Sequence, residues 1–232
     1  MVKSDPEYQK NIERYTSKDG CFALILYAVF MLVCSGLAVC ASRFLYIREN
    51  ILAFGALAYG CIIGITLLLM KARKQGLSSV GLVGGRWKKS CLIGFIVSII
   101  AFVFDGGFAL IQDQFFIGIK EMAILSLYFI IIAVCEELVF RGYMGTRIYG
   151  LIKKQWIGII LIGVLFAFSH LLVRATAFNL NVFDLFLEQW IWMLELFILH
   201  IIWNYIYLKT NSLYGSIFSH WLSNLVIGLF AR

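Results

Sequence analysis

The feature that most constrains this chain is a series of long apolar runs, each separated from the next by a short polar segment. Seven runs are long enough to cross the hydrocarbon core of a bilayer, which takes about 20 residues of helix. They cover residues 21–41, 51–70, 91–111, 122–140, 156–173, 186–208 and 213–230. Because backbone polar groups in lipid must hydrogen-bond within the chain, each run is expected to be helical. The sequence therefore predicts an all-α, polytopic transmembrane helical bundle.

The third apolar run is interrupted near its end by Asp105, Gly106 and Gly107. An aspartate followed by two glycines weakens a helix, because glycine is the least favourable helix residue after proline. The run could therefore break into a span and a re-entrant piece. The expected number of membrane helices is about seven to eight.

Charge and composition agree with a membrane protein. The chain is 62% hydrophobic and 14% charged, whereas soluble domains are about half apolar and a quarter charged. The net charge of +7 would by itself suggest a nucleic-acid partner. However, most Lys and Arg residues lie before the first run and after the second, fourth and sixth, which is the positive-inside pattern. Orientation explains the basic excess, so the bilayer is the expected partner and nucleic acid is not.

The same pattern predicts a cell-membrane protein with a cytoplasmic N-terminus. Residues 1–20 are polar and mixed in charge, and we interpret them as a cytoplasmic tail. Residues 21–232 are predicted to form a single integral membrane domain. The first apolar run is too long, and begins too late, for a cleaved signal peptide.

Three ionisable residues, Glu136, Glu137 and Arg141, lie at the end of the fourth apolar run. A charge within a span costs at least about 2.5–3.5 kcal/mol on insertion scales, so such residues are candidates for function. In a helix, Glu137 and Arg141 are four residues apart and close enough to pair. Glu136 points about 100° away from Glu137 and is left available for chemistry.

Two histidines and an asparagine complete the set of candidate residues in the later spans. Glu136 and His170 lie at equal depth on either side of a turn, each about 25 Å from it at about 1.5 Å per residue. His220 and Asn224 share a helix face, since they are four apart, and they reach the same depth if the hairpin 142–155 projects into the cytosol. The sequence therefore predicts that these groups converge in the inner half of the membrane, in a cavity that opens toward the cytoplasm.

This set of side chains is suited to amide hydrolysis. Glu136 and His170 could hold and deprotonate a water molecule, while His220 and Asn224 could stabilise the oxyanion of the tetrahedral intermediate. Glu136, His170 and His220 could instead bind zinc as a His₂Glu catalytic site. The absence of an HExxH motif favours the metal-free version. No cofactor is therefore expected, with zinc as the alternative.

Three motifs together resemble the CPBP (CAAX protease and bacteriocin-processing, or Abi) family of intramembrane endopeptidases, which includes the type II CAAX prenyl protease. In order, they are Glu136-Glu137-x-x-x-Arg141, Phe166-x-x-x-His170 and His220-x-x-x-Asn224. The resemblance covers about residues 121–232. It implies a water-activating pair, an oxyanion hole and a supporting ion pair, which would be Glu136 with His170, His220 with Asn224, and Glu137 with Arg141.

The resemblance implies cleavage of a peptide bond in a membrane-associated peptide or protein. The compact loops look bacterial, and in bacteria the family resemblance suggests peptide processing or bacteriocin immunity. Whether prenylated proteins are substrates stays open. One alternative is a non-catalytic membrane immunity or regulatory binding protein of the same fold. Another is a small transporter with a Glu–His proton relay, but no repeat symmetry accompanies the cluster.

The sixth run contains polar residues that could be mistaken for site residues. His200 and Asn204 form a second His-x-x-x-Asn pattern, which we interpret as a packing or hydrogen-bonding pair. Glu188 and Glu195 share a helix face with Trp192, where they could line a cavity or bond to neighbouring helices.

Overall fold

The computed structural model describes residues 4–103 and 115–231 of the chain, and its architecture is helical. The elements, in order, are α1 (Pro6–Glu13), α2 (Ser17–Arg43), α3 (Leu45–Glu49), α4 (Ile51–Ala72), a 3₁₀ turn (Leu77–Val80), α5 (Trp87–Ala101), β1 (Phe115–Phe116), α6 (Ile119–Glu136), a π-helical segment (Glu137–Met144), α7 (Gly145–Arg147), α8 (Tyr149–Ile152), α9 (Gln155–Phe178), α10 (Val182–Thr210), α11 (Tyr214–Gly228) and β2 (Phe230–Ala231). The two short strands pair antiparallel. The predicted helical class is confirmed.

Within the described part of the chain, 5 helical segments are long and apolar enough to cross a membrane. They are Ser17–Arg43, Ile51–Ala72, Ile119–Ile152, Gln155–Phe178 and Val182–Thr210, and each corresponds to one predicted run. They make this a multi-pass membrane protein, but the count of seven to eight is not confirmed.

The other two predicted runs give shorter helices. For the third run, α5 is described over 15 residues, and the interruption at Asp105, Gly106 and Gly107 lies outside the described residues. For the seventh, α11 also has 15 residues, which is about 22 Å of helix at about 1.5 Å per residue. That length is less than a hydrocarbon core of about 30 Å.

The short helix α11 is surrounded by longer ones. It packs against α5, α6 and α10, while α9 packs against α10 and α2. The helix α4 packs against both α2 and α6. The three helices that carry the polar motifs, α6, α9 and α11, therefore face a shared interior, and protein surrounds α11 on several sides.

The π-helical segment Glu137–Met144 continues directly from α6, and all 8 of its residues are buried. Widened turns of this kind often occur at functional sites. Gly142 allows the segment to pack tightly, since a Cβ there would lie 2.9 Å from Cδ1 of Leu213 and 3.1 Å from Cβ of Val80. The sequence predicts an ordinary α-helix for this stretch, so the π geometry is a finding of the structure.

The N-terminal segment packs across one end of the bundle. The backbone N–H of Asp5 donates to the carbonyl of Leu208 at 2.8 Å, and the ring of Tyr8 meets that of Tyr207 edge-on at 5.2 Å. Burial raises the pKa of the Tyr8 phenol, so this side chain stays neutral. Residues 5–20 thus cover the end at which α9 begins and α10 ends. The cytoplasmic location of this end stays a prediction.

Arg147 joins three segments at the covered end of the bundle, although its side chain is 0% exposed. Its guanidinium donates to the carbonyl of Ser79 at 3.0 Å and to Oε1 of Gln75 at 2.8 Å. The guanidinium carbon also lies 4.5 Å from the centre of the Tyr15 ring. The hairpin 142–155 is therefore packed beneath the N-terminal segment, and its projection into the cytosol stays a prediction.

Candidate active site

Glu137, the first residue of the π-helical segment, holds two partners with one oxygen. Its Oε1 lies 3.1 Å from a terminal nitrogen of Arg141, and both side chains are 0% exposed. The same oxygen lies 2.9 Å from Nδ1 of His220. Because a carboxylate paired with a guanidinium can only accept, Nδ1 of His220 carries the hydrogen of this bond. The predicted Glu137–Arg141 pair is confirmed, and the bond to His220 is an addition from the structure.

Aromatic rings surround both partners of Glu137. The guanidinium carbon of Arg141 lies 4.3 Å from the centre of the Phe166 ring and 5.0 Å from that of Trp203. Trp203 stacks on His220, with 4.1 Å between ring centres and 16° between planes. Aromatic faces stabilise a desolvated cation, and the stack fixes the plane of the imidazole. His220 is therefore oriented by Glu137 at one nitrogen and by Trp203 across one face.

Glu136 is 3% exposed and faces both histidines. Its Oε2 lies 3.9 Å from Nε2 of His170 and 3.7 Å from Nε2 of His220. Its Oε1 accepts a hydrogen bond from the hydroxyl of Tyr59 at 3.4 Å. Oε2 has no direct hydrogen-bond partner among the described residues, and the gaps around it suit one bridging water at about 2.8 Å from each atom. The carboxylate and the two imidazoles converge as predicted, while their catalytic roles stay predictions.

The tautomer of His170 follows from its backbone contact. Nδ1 lies 2.9 Å from the carbonyl oxygen of Phe166, and a carbonyl can only accept, so Nδ1 carries the hydrogen. In the neutral ring, Nε2 is then an acceptor that faces Glu136. A water between these two groups would donate one hydrogen to each and keep its lone pairs free. The side chain of His170 is 26% exposed, so this position is accessible.

Asn224 lies one turn after His220 on α11 and is partly buried. The contacts that join Glu136 to His170 and His220 do not extend to the carboxamide of Asn224. Its position on the same helix face agrees with the predicted spacing. Its part in an oxyanion hole stays a prediction.

A cavity of about 350 Å³ extends from Glu136 and His170. Its other described lining residues are Phe30, Cys34, Tyr59, Ser169, Val173, Arg174, Ala177 and Phe178. The lining follows α9 toward its C-terminal end, away from the end that α1 covers. The expected opening toward the cytoplasm therefore conflicts with the predicted orientation, since a cytoplasmic N-terminus would place the cavity mouth on the opposite face of the membrane.

The second His-x-x-x-Asn pattern lies behind the Phe166 ring, whose centre is 5.8 Å from that of His200. His200 is 0% exposed, and its Nε2 accepts a hydrogen bond from the amide nitrogen of Asn204 at 3.1 Å. This contact supports the interpretation of a hydrogen-bonded packing pair. Glu188 and Glu195 are exposed, and neither lines the cavity next to Glu136.

The alternative of a zinc site can be tested against the positions of the side chains that would bind the metal. Glu136, His170 and His220 are chemically suitable donors, and a carboxylate on the far nitrogen of His220 is common behind zinc-bound histidines. Zinc needs nitrogen and oxygen ligands at about 2.0–2.2 Å. As the side chains are placed, the described residues contain no group of three or more His, Cys, Asp or Glu that could hold a metal ion. Metal dependence is therefore a question for experiment.

Tyr59, Trp203 and Arg174 contact or line the site and were not identified from the sequence. Tyr59 and Trp203 lie within apolar runs and Arg174 directly follows one, and at such positions an aromatic residue or a single arginine gives no signal of a catalytic neighbour. The feature that could have pointed to Arg174 is its spacing of four residues from His170. Contacts between distant helices identify the other two.

Comparison with known protein families gives a match to the type II CAAX prenyl endopeptidase Rce1-like family over residues 118–226. The matched segment is just under half of the chain, and it contains the three motifs and the helices that hold them. No curated protein and no solved structure matches the chain. Residues 118–226, which hold the candidate site, are therefore similar to the type II CAAX prenyl endopeptidase Rce1-like family.

Proposed function

We propose that this protein is an intramembrane endopeptidase that hydrolyses a peptide bond of a membrane-associated peptide or protein. One observation carries the proposal: Oε2 of Glu136 faces Nε2 of His170 at 3.9 Å and Nε2 of His220 at 3.7 Å, at the inner end of a cavity. The family relationship supports it, because it suggests CAAX-type protease activity.

The first step is the activation of water. A water between Glu136 and His170 donates a hydrogen bond to each, and the carboxylate of Glu136 accepts one proton as general base. The water oxygen forms a bond to the carbonyl carbon of the substrate. The electron pair of the C=O double bond moves to oxygen, which gives a tetrahedral oxyanion.

The oxyanion needs hydrogen-bond donors. His220 can donate from Nε2 while Nδ1 remains bonded to Glu137, provided that its ring is doubly protonated. The carboxylate of Glu137 stabilises that positive charge across 2.9 Å. Asn224, one turn along α11, supplies an amide N–H as the second donor.

The final step is the collapse of the intermediate. Glu136 returns its proton to the leaving nitrogen, the C=O double bond re-forms and the C–N bond breaks. The products are a new carboxylic acid, which then releases the second proton of the water to become a carboxylate, and a new amine. Glu136 regains its starting charge. This chain supplies the base, the acid and the oxyanion donors for each step.

The experiment that tests the proposal is cleavage of a membrane-tethered peptide library by the purified protein. Wild type is compared with Glu136→Gln, and Glu188→Gln serves as the matched control because it removes an exposed carboxylate from α10. We expect cleavage by wild type and by the control, and none by Glu136→Gln. Thermal unfolding of each variant establishes that all three proteins are folded.

A strong chelator forms the second arm of this experiment. Activity that survives the chelator supports Glu136 as the base. Activity that is lost and then restored by zinc would instead assign Glu136, His170 and His220 as metal ligands. If wild type cleaves nothing and Glu136→Gln retains the function in cells, the non-catalytic binding protein is the better description.

A further inference from the structure

Arg174 lies on α9 four residues after His170, so the two side chains share a helix face. Both line the cavity that also contains Glu136. Arg174 is one turn further toward the cavity mouth. Arg174 is the one Lys or Arg among the described residues that line the cavity. No step proposed for peptide hydrolysis uses it.

A single indole connects Arg174 to the reaction centre. The guanidinium carbon of Arg174 lies 5.2 Å from the centre of the Trp192 ring. The same ring lies 6.2 Å from that of His170, at an angle of 81°. A guanidinium that stacks on an aromatic face keeps its N–H edges available for a planar acceptor. Trp192 therefore holds Arg174 beside the site with its donors available.

The neighbours of Arg174 favour an anionic ligand. The ion pairs formed by the described residues do not include Arg174. Its nearest neighbours in the cavity lining are Val173, Ala177 and Phe178. Arg174 is exposed, so an anion can reach its guanidinium. Arginine matches the geometry of a carboxylate in particular, through two parallel hydrogen bonds.

The distance from the reaction centre indicates where on a substrate this anion would be. Positions four apart on a helix are separated by about 6 Å along the axis. An extended peptide advances by about 3.3 Å per residue. A carboxylate at Arg174 would therefore be about two residues from the bond held between Glu136 and His170.

We propose that Arg174 is a specificity-determining residue that binds a carboxylate of the substrate about two residues from the scissile bond. The carboxylate is either the free C-terminus of the substrate or an acidic side chain. This inference rests on the proposed peptidase function, because only a peptidase has a scissile bond. The binding of a carboxylate can nevertheless be measured without turnover.

The test uses the membrane-tethered peptide library in three matched forms: a free C-terminal carboxylate, a C-terminal amide, and an amide with an aspartate near the C-terminus. Wild type should cleave the carboxylate-containing forms with a kcat/KM higher by roughly tenfold or more than the plain amide, as expected for a charge-assisted hydrogen bond. Arg174→Gln should abolish this preference mainly through KM. Arg174→Lys should retain part of it, and Arg43→Gln should leave it unchanged. The preferred form identifies the source of the carboxylate.

A binding measurement separates this inference from the proposed function. The same peptides are titrated against Glu136→Gln and against the double variant Glu136→Gln, Arg174→Gln. Preferential binding of the carboxylate forms that disappears in the double variant supports the inference, even if wild type shows no cleavage. Equal binding and equal cleavage of all three forms by wild type would overturn it, and Arg174 would then be an interfacial anchor. Cleavage without preference leaves the proposed function intact.

Discussion

Nδ1 of His220 donates to Oε1 of Glu137 across 2.9 Å, although the two residues are 83 positions apart in the chain. The same oxygen binds Arg141. Glu137 therefore acts at once as the partner of a buried cation and as the group that orients an imidazole at the site. The two adjacent glutamates have different tasks: Glu137 is committed to these contacts, while Oε2 of Glu136 faces the cavity without a direct hydrogen bond among the described residues.

Replacement of Glu137 by Gln should destabilise the protein. Arg141 would lose its carboxylate in a fully buried position, and the loss of one partner of a buried pair costs about 3–5 kcal/mol. Thermal unfolding in detergent measures the effect. The double variant Glu137→Gln, Arg141→Met should recover much of the stability but no peptidase activity, since it lacks the negative charge that stabilises the protonated His220 of the proposed mechanism. An unchanged unfolding midpoint in the single variant would contradict the assigned role of Glu137.

The two His-x-x-x-Asn pairs provide a matched comparison. Asn224→Ala should lower kcat by about 10²–10³ with little change in unfolding, as expected for the loss of an oxyanion donor. Asn204→Ala should leave kcat nearly unchanged but reduce stability by about 1–3 kcal/mol, because buried Nε2 of His200 loses its donor. Kinetics and unfolding of both variants are measured together. The opposite pattern would assign the catalytic pair to α10.

Trp203 should prove important for both stability and activity. Trp203→Ala removes the ring that stacks on His220 and covers Arg141, and such truncations cost about 3–5 kcal/mol. Trp203→Phe keeps an aromatic face but loses the 3.2 Å hydrogen bond to Ser219, so a milder loss is expected. Trp190→Ala is the control, because that side chain is 53% exposed. If the control unfolds as readily as Trp203→Ala, the stack has no special role.

Removal of the Tyr59 hydroxyl should affect the chemical step. Tyr59→Phe deletes the 3.4 Å hydrogen bond to Oε1 of Glu136, and a hydrogen bond to a charged group contributes about 1.5 kcal/mol or more, or roughly tenfold. We expect a fall in kcat of that order with KM unchanged. Steady-state kinetics check this, with Tyr46→Phe as the control because Tyr46 is 70% exposed. A change in KM alone would indicate that Tyr59 contacts the substrate instead.

Much of the site could be predicted from local properties of the chain. The long apolar runs predict helices. An ionisable group within such a run is a candidate for function, because its burial in the membrane costs free energy. Spacing by four residues placed Glu137 next to Arg141, and counting along a hairpin placed Glu136 level with His170. These arguments need only the helical repeat and the energetic cost of burying charge, which are properties of neighbouring residues.

The structure was needed wherever two distant helices meet. His200 with Asn204 and His220 with Asn224 have the same residue types and the same spacing, and both imidazoles are buried. The packing of α11 against α6 turns His220 toward Glu136 and Glu137, whereas His200 is bonded to its own helix neighbour. Helical periodicity defines which residues share a face, but the rotation and depth of each helix against its neighbours arise from packing across the whole bundle. For that reason the sequence alone determines the candidate groups, and the tertiary structure determines which of them meet.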